Sequence, residues 1–155
     1  MSLPDMTGNR SHLFFVRVLK VPLKDWFLFT EAFLLLFFWR SVTFVVPLRY
    51  YSRYLGKPQK DFSGTELPFS DEIARIGLAV RRARKYSIIP AKCLTEAIIV
   101  KRMLARRGIP SALYLGVTHE KNNRKLKAHA WLRYGNQVIT GRRGHEKFTV
   151  VSIFV

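Results

Sequence analysis

The chain sorts itself by hydrophobic period. Between Pro90 and Arg107, PAKCLTEAIIVKRMLARR, the apolar residues Cys93, Ala97, Val100 and Leu104 recur in one helical stripe that Leu94 and Ile98 widen. Thr95, Arg102 and Arg106 fall on the opposite side, so the spacing predicts a buried helix that begins at Cys93. Pro90 and Gly108-Ile109-Pro110 bound it, and Arg106 and Arg107 in its last turn suit the helix dipole. Upstream, Ser70-Asp71-Glu72 predicts the start of a second helix reaching Tyr86, with Ile73, Ile76, Leu78, Val80 and Ala83 apolar and Arg81, Arg82, Arg84 and Lys85 basic.

Downstream the period changes to two. Leu126, Ala128, Ala130 and Leu132 alternate with Lys127, His129, Trp131 and Arg133, which predicts a strand with His129 and Trp131 on one face. Gly135-Asn136 turns it into a second strand, Gln137–Thr140. Ala112–Thr118 and Phe148–Val155 read as further strands, separated by the polar loop from His119 to Arg124 and the basic loop from Thr140 to Lys147.

The N-terminal third is different in texture. Met1–His12 reads as a disordered segment or short arm, and Leu13–Val21 reads equally as a strand or a helical turn. From Trp26 the chain runs FLFTEAFLLLFFWRSVTFVV until Pro47 stops it, long enough to cross a bilayer. Each apolar residue favours insertion by about 0.3–0.6 kcal/mol, whereas a central charge opposes it by about 2.5–3.5 kcal/mol. Glu31 and Arg40 therefore offset much of the gain without cancelling it, and they lie on opposite sides of a helix. The expectation is a helix packed on the rest of the chain or on a partner, with membrane association through residues 26–46 as the alternative.

Composition narrows the picture. A chain of 155 residues with 48% hydrophobic content buries one core. The expected layout is a basic, hydrophobic helical extension at residues 1–57, a linker at 58–69 where turn formers cluster, and a catalytic domain at 70–155. A net charge of +17 implies an acidic partner, whether a peptide, a membrane surface or nucleic acid. Nucleic acid is the weakest of these, because the basic aromatic run Arg49–Lys57 lacks any accompanying recognition motif. A single cysteine excludes an internal disulfide and fits a reducing, cytoplasmic setting. Scattered histidines without ligand spacing predict no metal, and a glycine loop without a following helix predicts no phosphate-bound cofactor.

The candidate chemistry is a thiol and an imidazole. A cysteine at the positive end of a helix favours its thiolate and becomes a nucleophile, with a buried structural cysteine as the alternative. A helix opening with cysteine, then a strand, then a strand carrying histidine is the order used by papain-like and transglutaminase-like enzymes. Cys93-Leu94, Arg106-Arg107-Gly108-Ile109-Pro110, Leu115-Gly116-Val117 and Ala128-His129-Ala130-Trp131 together resemble the lasso-peptide leader peptidases, the protease half of the split lasso maturation proteins. That likeness is strongest over residues 73–155.

The resemblance implies an α+β fold, a core helix on an antiparallel sheet, in which thiol and imidazole meet. It implies Cys93 as nucleophile and His129 as general base in removing the leader of a precursor peptide, with no cofactor; the alternative is a non-catalytic peptide-binding maturation partner, with a basic membrane-surface or nucleic-acid binder behind it. The implied partners are that peptide, a leader-binding recognition-element protein and an asparagine-synthetase-like cyclase. One position departs from the pattern. The family's orienting aspartate, about a dozen residues after the histidine, is absent, and Thr140 and Gly141 occupy its place. Thr140 is the first candidate to orient His129, with Asn136 and Glu146 as alternatives, and an Asp placed at Gly141 is expected to raise activity.

Overall fold

A computed structural model describes residues 22–59, 68–87, 92–119 and 126–155. The readings of Met1–His12, of Leu13–Val21, of Pro90, of the middle of the linker and of most of the loop after His119 lie outside the described residues. The apolar N-terminal run forms one unbroken helix, α1, Leu23–Val45, entered from Pro22 and ended at Val46, where the backbone turns extended ahead of Pro47. A short helix, α2 (Leu48–Tyr51), and a 3₁₀ turn at Ser52–Tyr54 follow. The strand β1 (Pro58–Gln59) precedes α3 (Asp71–Tyr86) and α4 (Cys93–Ala105). The chain then forms β2 (Ala112–His119), β3 (Leu126–Tyr134), β4 (Gln137–Thr140) and β5 (Thr149–Phe154).

The strands make one antiparallel sheet in the order β1-β5-β2-β3-β4. The start of the expected linker is therefore a sheet edge, with Pro58 and Gln59 registered against Phe154 and Ile153. Alternation sends Leu113, Ala130, Leu132 and Phe154 toward the helices, and Tyr114, Trp131 and Ile153 to the other face, where a second, smaller apolar cluster forms. The fold is thus the expected α+β arrangement, with α4 held between the sheet, α3 and α1.

That enclosure changes the reading of one sequence position. Thr95, expected on the outer side of its helix, is fully buried, because α1 covers that side and Thr43 there makes a 3.2 Å hydroxyl hydrogen bond to Thr95. Leu78, one of the apolar residues of α3, is 43% exposed, whereas Ala79 beside it is buried. The α1 stripe Leu28, Ala32, Leu36 and Trp39 packs into the main core with α3 and α4. Its two carboxylates pair inward: Asp25 accepts from Arg75 Nε at 2.7 Å, and the Glu31 carboxylate bridges Arg106 at 3.1 Å and Arg107 at 2.9 Å. These contacts make α1 an integral layer of the fold.

Candidate active site

Cys93 occupies the first residue of α4, after an extended Lys92 at the N-cap that makes no side-chain cap bond. The first backbone N–H groups of a helix have no intrahelical partner, so the Cys93 amide stands at the positive end of the helix dipole as a ready donor. The thiol is half-buried and free, and it packs against the helix-side core. The far end of α4 is closed by Gly108 at φ +69°, with Gly108 N–H donating to Ala105 at 3.1 Å and Ile109 N–H to Leu104 at 3.0 Å. Eight of the thirteen helix residues are buried, which fixes where the N-terminus sits.

His129 lies near the start of β3, opposite Gly116 on β2. Its ring is 5.9 Å from that of Trp131 and 5.0 Å from that of Phe148, centroid to centroid. Gly116 makes room for this stack, since a Cβ there would meet the Trp131 ring at 2.8 Å and Phe148 Cβ at 2.9 Å. The Trp131 ring also stacks on Tyr114 at 5.6 Å and is flanked by His145 at 5.7 Å. The imidazole thus rests in an aromatic nest.

The imidazole also has a polar anchor. His129 Nε2 lies 2.8 Å from the carbonyl oxygen of Gly141, the residue twelve positions on. A carbonyl oxygen only accepts, so Nε2 carries a proton here, and in the neutral imidazole Nδ1 is then the nitrogen that bears the lone pair. None of the three side chains expected in this role makes the contact. Thr140 Oγ1 is buried without a hydrogen-bond partner. Asn136 Oδ1 accepts from Arg133 Nη2 at 2.7 Å, and Glu146 faces His145 at 3.2 Å.

Gly141 was missed as an orienting residue because a backbone carbonyl has no side-chain signature. Its position at the family's aspartate spacing was the available clue. The gain expected from Asp at Gly141 requires a backbone with room for its side chain, which this structure does not provide. Gly141 has φ +70°, and a Cβ would sit 2.8 Å from Trp131 Cβ and against the Ala130 carbonyl oxygen, so a side chain there disturbs the anchor it was meant to supply.

The structure brings α4 and β3 into contact but does not join thiol and imidazole. Ala130 and Leu132 face the helices, so alternation turns His129 with Trp131 to the other face, and among the described residues no hydrogen bond links Cys93 to His129. At this end of β3 Leu126, Lys127 and Ala128 are all exposed. A cavity of about 410 Å³ lies elsewhere, by the C-terminal half of α4, among Leu55, Lys101, Arg102 and Pro110. In it Lys101 Nζ donates to the carbonyls of Ser111 at 2.7 Å and Phe154 at 3.1 Å. Among the described residues no cluster of histidine, cysteine and carboxylate groups could hold a metal ion.

A model of the transglutaminase-like superfamily matches residues 38–153 of the chain. That span begins within α1 and takes in α3, α4 and most of the sheet. Neither a curated protein nor a solved structure gives a significant match.

Proposed function

Because the chain belongs to the transglutaminase-like superfamily, which includes cysteine peptidases, we propose that it is a thiol peptidase with Cys93 as nucleophile and His129 as general base. The substrate class we propose is the leader segment of a ribosomally made lasso precursor peptide, delivered by a recognition-element protein and passed on to an asparagine-synthetase-like cyclase. The observation that carries the reading is the state of the two groups. Cys93 opens the core helix, and His129 Nε2–H is held by the Gly141 carbonyl, so Nδ1 is the ring nitrogen that we assign as the base.

The chemistry follows from those positions. Nδ1 of His129 takes the thiol proton as Sγ of Cys93 attacks the peptide carbonyl at the leader–core junction. The oxyanion that forms is stabilised by the Cys93 N–H at the helix N-terminus. Collapse breaks the C–N bond, the imidazolium protonates the leaving amine, and water activated by the same imidazole releases the leader from the thioester. The step requires Nδ1 to come within hydrogen-bond reach of Sγ, so the His129 side chain, on the Trp131 face of β3 in this structure, must turn toward the face on which Cys93 packs.

Alkylation of Cys93 measured across pH, in the parent and in His129→Ala, tests the pairing. The expected result is a reactivity profile that shifts and weakens in His129→Ala, together with a precursor-dependent acyl adduct by intact mass. An unaltered profile in the variant, with no adduct, would show that the imidazole stays on the Trp131 face and that the chain is not this kind of enzyme.

A further inference from the structure

The outward face of α1 plays no part in the proposed reaction, and its chemistry is unusual for a surface in water. The residues opposite the buried stripe include Phe27, Leu34, Phe37, Phe38, Phe44 and Val45, of which Leu34 is 65%, Phe37 63% and Phe44 78% exposed. A contiguous apolar face of this size marks an interaction site. No charged residue lies on it. At about 100° per residue, the four charges of the helix fall elsewhere: Asp25 and Glu31 turn inward to their arginines, and Lys24 and Arg40 sit at the two rims.

The polar atoms on this face are already satisfied without water. Thr30 Oγ1 donates to the Trp26 carbonyl at 3.0 Å and Ser41 Oγ to the Phe37 carbonyl at 3.1 Å, the bonds that let hydroxyls enter hydrocarbon. Just beyond the helix, Arg49, Tyr50 and Tyr54 are exposed, the residue types that favour a headgroup layer. The chain as a whole carries +17, complementary to an anionic surface.

We propose that α1 docks the protein on an anionic membrane, lying in the plane of the interface with its outer face in the acyl region. The helix is long and apolar enough to cross a bilayer. Its inner face, however, is bound to the protein through Leu28, Ala32, Leu36 and Trp39 and through the Asp25 and Glu31 ion pairs. Crossing would strip those contacts and strand the charges in hydrocarbon, so the helix lies on the membrane. This inference stands independently of the peptidase reading.

Flotation of the full chain with phosphatidylcholine vesicles, with and without phosphatidylserine, tests it. Binding is expected to the anionic vesicles and to weaken with salt, and Leu34→Glu/Phe37→Glu should lower it at least tenfold with an unchanged circular dichroism spectrum. Trp26 supplies a second readout, since it is 42% exposed while Trp39 and Trp131 are 5% and 3% exposed. Lipid-borne quenchers should dim the fluorescence of the parent but not of Trp26→Phe. Undiminished binding by the double variant would overturn the proposal, as would no binding by the parent to either vesicle. Vesicle-free self-association abolished by the double variant would assign the face to a second copy instead, and so also overturn it.

Discussion

Gly141 and Gly144 allow the anchoring of His129 to be weighed against a built-in control. Both adopt the left-handed conformation, with φ +70° and +72°. Placing Ala at either position therefore incurs the same backbone penalty of about 1–2 kcal/mol. The surroundings differ. A Cβ at Gly144 meets nothing within 4 Å, whereas one at Gly141 lies 2.8 Å from Trp131 Cβ and against the Ala130 carbonyl oxygen. Overpacking against backbone adds about 1–3 kcal/mol. Gly141→Ala is thus expected to destabilise by roughly 2–5 kcal/mol and Gly144→Ala by about 1–2 kcal/mol.

For a chain of this length the extra 1–3 kcal/mol corresponds to a Tm lower by roughly 2–12 °C, read by thermal unfolding of the two variants side by side. The same displacement moves the carbonyl that holds His129 Nε2, so the imidazole nitrogen spectrum of Gly141→Ala should lose the single Nε2–H tautomer while that of Gly144→Ala keeps it. Equal Tm values with an unchanged tautomer in both would refute the assignment of Gly141 as the anchor.

Two further outcomes follow from particular side chains. Thr140→Val removes a buried hydroxyl that has no partner, so it should leave stability unchanged or raise it by about 1 kcal/mol, with Cys93 reactivity unaltered; a steep loss of reactivity would restore Thr140 as the orienting residue. Burial, with Arg102 beside it, lowers the Lys101 ammonium from 10.5 to about 8. Between those values the unfolded chain holds the proton that the folded one has released, so this group makes the protein more stable as pH rises from about 8 toward 10.5. Solvent screening of this partly exposed amine limits the gain to about 1–2 kcal/mol. Denaturant unfolding of the parent and Lys101→Met at neutral and alkaline pH should show the rise in the parent alone, and parallel pH dependence in both would refute it.

The local periodicities were sufficient to define most elements. Cys93 at a helix start, the strand carrying His129, the turn at Gly135-Asn136 and the stop before Pro47 depend on spacing and on backbone chemistry within a few residues, and short-range rules specify such features. The likeness carried by Cys93-Leu94 and Ala128-His129-Ala130-Trp131 reached the superfamily for the same reason, since those motifs are contiguous in the chain.

What depended on tertiary structure was which surfaces became covered. Thr95 is buried because a helix from fifty residues upstream lies over it, and no pattern within α4 carries that information. The acceptor for His129 is a main-chain oxygen aimed by the conformation of Gly141, invisible to a search for side chains that can take a proton. Alternation on β3 predicted that His129 and Trp131 share a face, but only the packing of α4 on the Ala130 and Leu132 side of β3 decided that this face looks away from the helices. The composition of α1 likewise announced an apolar helix, and the pairing of Asp25 and Glu31 with distant arginines determined which side of it remains outward. Periodicity acts along the chain, whereas burial is settled by whichever distant segment arrives to cover a face.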